Sequence, residues 1–405
     1  MITSLLQQAT CHLPEALDWL RRMVGINSFT SNAAGVDELG ALTAACFEPL
    51  GFSAQPLESA HPDYGRHLFL HRPPTQLSSA TQPIVLVTHL DTVFPPEEEI
   101  LHEFHWREAS EEGRIYGPGV VDNKGGTVLI WLMLRTMKDV LPELFERTHW
   151  IIAANAAEEV IGSDFADRTR ELVPHGARAV LVFEGGPRVG GDYHLVTSRK
   201  GRAEYRISCT GRAAHAGSSH AEGINAVVEL ARVLPQAADL TDYAREVTVN
   251  IASIRGGTVL NRVPHEAAAD LEIRAFDPGV MREVENGLLA LAGLTPTGAA
   301  IAVQCLGHTP AWPGGPDTEA LVRDWQAAAE GLGLRVVPVS RGGLSDANYL
   351  CDLGPTLDAL GPFGGNAHCS ESSADGSKVP EFVDPGSLVP KAALNVLALQ
   401  RLLED

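Results

Sequence analysis

The sequence predicts an α/β fold, a doubly wound and mostly parallel sheet interrupted by a smaller α+β module. Three observations carry this expectation. Short apolar runs, IVLVT at 84–88, WIIAA at 150–154 and AVLVF at 179–183, are too brief for helices and rich in β-branched residues, as strands covered on both faces are. Helix-like segments near 125–138 and 164–173 separate them, and strands alternating with helices imply parallel pairing. Near residue 198 the pattern changes: 202–210, 246–254 and 266–276 alternate like half-exposed strands, whereas 223–235 and 279–292 read as helices.

The remaining elements follow in order. Leu17, Trp19, Leu20, Met23 and Val24 form one helical stripe, and Val36, Leu39, Leu42 and Leu50 another that stops before Gly51. After about residue 309 the first pattern resumes, with a helix at 317–332, a strand at 335–340 and a terminal helix at 386–403. The expected organisation is a first segment at 1–198, an inserted module at 199–308 and a second segment at 309–405. PPEEE (95–99) and SESSADGS (370–377) are the most loop-like stretches.

At 405 residues the chain suits two or three domains and a deep cleft. Its 31 basic against 51 acidic residues leave a formal charge of −20, which argues against nucleic acid as a partner. No apolar run approaches the ~20 residues of a membrane helix, and MITSLLQQATCHLP lacks the basic and apolar regions of a secretory leader. The six cysteines, Cys11, Cys46, Cys209, Cys305, Cys351 and Cys369, make no CxxC pair and read as reduced thiols. A cytoplasmic protein without a membrane partner is expected.

Chemistry concentrates where strands should end. His89-Leu-Asp91 follows IVLVT directly, and a spacing of two puts both side chains on one face of an extended segment. One could bind a metal and the other orient its imidazole, although a turn histidine beside a capping aspartate looks the same. Gly117-Pro-Gly-Val-Val-Asp122-Asn-Lys-Gly-Gly126 permits a sharp turn that aims Asp122 into a crevice, or is a plain glycine-rich loop. Glu158 and Glu159 follow WIIAA; one can ligate while the other takes a proton, unless both merely start the next helix. Glu184 ends AVLVF, and His368 stands in Gly364-Gly-Asn-Ala-His-Cys369. Cys369 is a weak candidate ligand, because these carboxylates favour a hard or borderline cation.

Taken together the clusters say more. Ligands of open α/β sheets sit beyond the carboxyl ends of strands, where four of the five clusters lie. His89, Asp122, Glu159, Glu184 and His368 supply two imidazoles and three carboxylates. If Asp122 bridges, each of two ions receives a histidine, a terminal carboxylate and the shared aspartate. Zinc suits such nitrogen and oxygen donors, and paired ions lower the pKa of water from about 15.7 towards roughly 7.

The series HLDTVFP, GPGVVDNKGG, AAEEVIGS, VFEGG, GRAAHAG, RGGLSDANY and GGNAH resembles the M20 family of zinc aminoacylases and carboxypeptidases, from about residue 85 to 370. GPGVVDNKGG and RGGLSDANY look most like its glutamate carboxypeptidase branch. The resemblance implies a catalytic domain with an inserted lid and dimerisation domain. It implies two zinc ions, replaceable by cobalt or manganese, on His89, Asp122, Glu159, Glu184 and His368, with Asp122 bridging and its bond to Asn123 cis. Glu158 would be the general base and Asp91 the partner of His89. His215 would help stabilise the oxyanion, and Asn261 and Arg274 would hold the substrate carboxylate, for which Arg274 offers a bidentate fork. Arg341 could line the pocket or pair with one of the many acids. His102 and His105 fit no zinc-helix spacing and are left structural.

Two departures stand out: SESSADGSK separates His368 from Pro380, and Val160-Ile161 is more apolar than the polar residues often found there. The expected function is a two-zinc hydrolase that cleaves an amide beside a free carboxylate and releases a C-terminal amino acid. Its substrate would be an N-acyl amino acid or short peptide, and its partner a second copy through the lid. The alternatives are an N-acyl amino-acid deacylase of the acetylornithine or succinyl-diaminopimelate type, or a non-catalytic binding relative. A serine hydrolase would need a GxSxG elbow, which is missing.

Overall fold

The computed structural model describes residues 1–75, 82–160, 162–373 and 375–404. The chain divides into two compact units, one of residues 1–197, 314–340 and 345–405, the other of 198–313 with 341–344.

The larger unit is built on a six-stranded sheet. Strands β1 (Ser53–Leu57), β2 (His67–Arg72), β3 (Ile84–His89), β4 (Trp150–Asn155) and β5 (Ala179–Val182) are joined by the short strand Thr356–Leu357, in the order β1-β2-β4-β3-β5 and then Thr356–Leu357. Pairing is parallel from β4 through β3 and β5 to Thr356–Leu357. Every residue of β3, β4 and β5 is buried, which is why these strands are continuous apolar runs and not alternating ones. The half of the sheet made by β1 and β2 differs from the expected parallel pattern: β1 pairs antiparallel with β2, and β2 antiparallel with β4. β1 is largely exposed and contains Pro56.

Helices Ile2–Val24, Lys124–Val140, Pro316–Gly331 and Leu388–Glu404 pack on one another. Their Leu20, Leu129, Trp325 and Leu394 share a core with Ile84, Leu86, Ile152 and Leu181 of the sheet. Helix Lys124–Val140 is buried nearly all round, which its apolar residues on every face require. The stripe at 17–24 proves to be the end of a helix that begins at Ile2 and contains Pro14.

The smaller unit is a five-stranded antiparallel sheet in the spatial order Thr248–Gly256, Glu266–Ala275, Gly201–Thr210, Ala300–Thr309 and Gly293–Leu294. Its central strands alternate buried and half-buried residues. Helices Ala226–Ala238 and Pro278–Leu289 cover one face, with Leu230, Val233, Met281 and Leu288 packed on Ile207, Leu271, Ile273 and Ile301. Asn225 and Asp277 cap these helices through their first amides. Among the described residues no helix is long and apolar enough to cross a membrane.

Candidate metal centre

The larger unit gathers the predicted acids and histidines at the carboxyl ends of its parallel strands. His89 is the last residue of β3, the glutamate pair follows β4, and Glu184 follows β5. Asp122 stands just before helix Lys124–Val140, and the Asp122–Asn123 peptide is cis. Glycine is required here. At Gly126 a Cβ would lie 1.9 Å from Asn123 Oδ1 and 2.2 Å from the Phe183 carbonyl, and Gly119 has φ +76°. His368 itself adopts φ +67°, a left-handed conformation costing on the order of 1–3 kcal/mol in a residue with a Cβ.

Donor atoms converge as two groups among the described residues: His89, Asp122 and Glu184, and Asp122, Glu159 and His368, each with its atoms within 4.8 Å of one another. Asp122 belongs to both. His89 Nε2 lies 2.8 Å from Asp122 Oδ1 and 3.7 Å from Glu184 Oε1. His368 Nε2 lies 3.3 Å from Asp122 Oδ2 and 3.1 Å from Glu159 Oε2. Asn123 Nδ2 donates to Glu184 Oε1 at 3.1 Å.

The ring orientation of His89 has a clear cause. Its Nδ1 is 3.0 Å from the Asp91 main-chain carbonyl, which can only accept, so Nδ1 carries a proton and Nε2 is the nitrogen turned towards Asp122 and Glu184. The Asp91 carboxylate also faces that nitrogen, at 3.4 Å, and accepts from three further donors. Its Oδ2 accepts from the Thr30 hydroxyl at 2.8 Å and the Glu159 amide at 3.2 Å, and its Oδ1 from the Glu158 amide at 3.0 Å. Asp91 thus fixes the glutamate turn as well as the histidine.

On the protein's own charges the cluster is one-sidedly acidic. For His89, burial disfavours the cation, but hydrogen bonds to Asp122 and Asp91 hold its pKa well above the usual imidazole value. Hydrogen bonds to Asp122 and Glu159 push His368 up to about 11. Burial alone would raise Asp122; contacts with His368 and His89 outweigh it and hold the carboxyl well below its ordinary value. Desolvation, followed by the charges of Glu184, Asp346 and Glu159, raises Glu158 well above the carboxylate range, against the opposing charge of His89.

These residues fit divalent cations. The set is two imidazoles and three carboxylates, and Glu159 Oε1 is buried without a hydrogen-bond partner, an arrangement that is costly unless a further positive group meets it. Cys369 is not among the convergent donors; its thiol contacts the Glu371 carbonyl at 3.7 Å.

Two site residues escaped the sequence reading. Glu381 is fully buried and accepts from the Val121 and Asp122 amides at 2.9 and 3.1 Å, and burial pushes its carboxyl up to about 8. A lone charge inside Pro380-Glu-Phe-Val was the available signal. Asp346, within RGGLSDANY, is buried, accepts from Asn155 Nδ2 at 2.9 Å and is raised to about 7 by burial.

The other candidates lie in the smaller unit. His215 is exposed, and its Nδ1 accepts from the Gly217 and Ser218 amides at 3.0 and 3.1 Å, which leaves Nε2 as the donor of the neutral ring. Asn261 is exposed, and its carbonyl accepts from the Ala216 amide. Arg274 turns its fork on Glu272 at 3.2 and 3.3 Å and gives Nη1 to the Gly342 carbonyl at 3.2 Å. Arg341 is exposed, and its carbonyl takes the Lys200 amide. Of the two sequence departures, Ile161 and Ala374 lie outside the described residues. The rest of 370–379 folds on itself, with Asp375 accepting from Ser373 and Ser377 and Lys378 paired with Glu371.

Comparison with known proteins places this geometry in context. Residues 197–290 match the peptidase dimerisation domain of the M20 type. Carboxypeptidase G2 of Pseudomonas sp. (strain RS-16) is 29% identical over 273 residues, 67% of this chain and 62% of that protein. These similarities are consistent with an M20 metallopeptidase. An acetylornithine deacetylase of Buchnera aphidicola subsp. Schizaphis graminum is 25% identical over 214 residues, 50% of this chain and 53% of its own. The M20 match therefore spans about three fifths of its carboxypeptidase relative's length. The fold is shared with the aminopeptidase PepT of Bacillus cereus ATCC 10987, at a TM-score of 0.76 and 21% identity over 96% of this chain and 98% of that one. It is shared also with an M20 metallo-carboxypeptidase of Sulfolobus solfataricus, at 0.67 and 15% over 96% and 100%.

Proposed function

We propose that this M20 protein is a two-zinc hydrolase cleaving an amide beside a free carboxylate, with release of a C-terminal amino acid. The observation that carries the reading is the pair of donor groups sharing Asp122, with Glu158 adjoining them in sequence and in charge. His89, Asp122 and Glu184 would hold one cation, and Asp122, Glu159 and His368 the other. Such cations supply Lewis acidity, which acidifies water and polarises a carbonyl.

The chain's own residues do the rest. Glu158 takes a proton from the attacking water and returns it to the leaving amine; a carboxyl raised by its surroundings is suited to both halves of that transfer. Asp91 keeps the Glu158 turn and the His89 ring in place. His215 gives its Nε2–H to the oxyanion. Asn261 and Arg274 bind the substrate carboxylate, for which Arg274 must leave Glu272. The M20 dimerisation match supports a homodimer.

The acetylornithine deacetylase relative favours, as a second reading, removal of an acyl group from an amino acid. The test is metal analysis combined with hydrolysis of N-acyl-glutamates, unblocked dipeptides and acetylornithine side by side. Cleavage of N-acyl-glutamates fits the first reading and of acetylornithine the second, while bound zinc without turnover of any amide would leave a binding protein.

A further inference from the structure

The turn that carries Glu158 and Glu159 is held in an unusual way. Its four consecutive amides donate to side chains: Ala156 to His67 Nδ1 at 3.1 Å, Ala157 to Asn155 Oδ1 at 3.0 Å, Glu158 to Asp91 Oδ1 at 3.0 Å and Glu159 to Asp91 Oδ2 at 3.2 Å. Asp91 and Asn155 are acceptors in any state. His67 is one only when its proton sits on the other nitrogen.

That proton has a dedicated receiver. His67 opens β2 and is fully buried, with its Nε2 3.0 Å from Asp164 Oδ2. The same oxygen accepts from the Ser59 hydroxyl at 3.1 Å and the Ala60 amide at 2.7 Å, so Asp164 is fixed in place by the segment leading into β2. Phe165 packs against the imidazole with ring centroids 5.4 Å apart. None of these residues belongs to the donor groups of the metal centre.

We propose that His67 is a positioning residue for the glutamate pair: Asp164 selects its Nε2–H tautomer, and the unprotonated Nδ1 anchors the turn at the Ala156 amide. The inference rests on the roles given above to Glu158 and Glu159. Losing the anchor displaces both carboxylates together, and displacements of about 1 Å at a reacting group cost on the order of 100-fold in rate.

Two substitutions separate this role from simple packing. His67→Asn puts a carbonyl oxygen near the position of Nδ1 and keeps an acceptor for Ala156; His67→Gln reaches towards Asp164 and leaves that amide unmet. Turnover and zinc affinity, the latter by competition with a chromophoric chelator, are measured for the full chain. His67→Gln is expected to lose about 10- to 100-fold in kcat with KM nearly unchanged, and to bind its second zinc more weakly. His67→Asn stays within about threefold of the wild type on both, given the retained acceptor. Equal behaviour of the two variants, whether both impaired or both intact, overturns the proposal. Should His67→Gln not fold, imidazole ¹H–¹⁵N correlation on the wild type decides: the Nε2–H tautomer supports the assignment and the Nδ1–H tautomer refutes it. A wild type that binds no zinc and cleaves nothing refutes the site reading instead, and the tautomer still judges His67.

Discussion

Lys391 offers a quantitative test of how the larger unit is held together. It lies in helix Leu388–Glu404, fully buried, with Nζ donating to the Ala359 carbonyl at 3.0 Å and standing 5.4 Å from the Tyr193 ring. Burial, opposed only in part by Asp358, lowers its pKa from 10.5 to about 7. Between those values the amine is neutral when folded and charged when unfolded, so folding releases a proton and rising pH favours the folded state. At about 1.36 kcal/mol per pH unit, the interval corresponds to roughly 5 kcal/mol of stability regained between pH 7 and 10.5. Lys391→Met removes the titration at similar volume and leaves one carbonyl unmet, at about 1 kcal/mol. Urea denaturation at pH 7, 8, 9 and 10, followed by tryptophan fluorescence, compares the two proteins. The wild type should gain on the variant by up to about 1.4 kcal/mol per pH unit. Curves that stay parallel would show that Lys391 is folded as an ammonium ion and refute the reasoning.

Three further outcomes follow from the site. Glu158→Gln should reduce turnover by at least about 100-fold while zinc content, read by elemental analysis, stays at the wild-type level; substantial remaining activity rules out the base assignment. Asp91→Asn turns an amide NH₂ against a backbone donor of the glutamate turn, and should cost about 1–3 kcal/mol in urea denaturation of the metal-free protein. His215→Ala removes the Nε2–H donor and should lower kcat by roughly 100- to 1,000-fold without changing zinc content, whereas a pure KM effect would assign His215 to substrate binding.

The legible parts of the sequence were those where burial is complete. IVLVT, WIIAA and AVLVF carry an apolar signal on both faces and emerge as β3, β4 and β5, and three of the candidate donors, His89, Glu159 and Glu184, stand at or just after the ends of those runs. The antiparallel arm was not legible. SAQPL is exposed at an edge and shows no alternation, and HLFLHR hides its apolar core between histidines and an arginine. His67 was passed over for that reason, since its chemistry depends on a strand the pattern did not reveal. The stripe from Leu17 to Val24 is only the end of the first helix, which runs back through Pro14 to Ile2 on buried Leu5, Ala9 and Ala16. The Arg274 fork illustrates a different limit: spacing along a strand places Glu272 and Arg274 on one face, and side-chain pairing within that face is decided by geometry.

The borders of the two largest sheets are unequal in what they can recruit. In the larger unit, Pro56 withholds an amide from one outermost strand, and at the opposite border Thr356–Leu357 is only two residues long, so neither offers a ladder for an incoming chain. The smaller unit ends instead in the nine-residue strand Thr248–Gly256, which has no proline. Of these two sheets, it is this border that a further strand could extend, and a proline introduced midway along it would close the ladder.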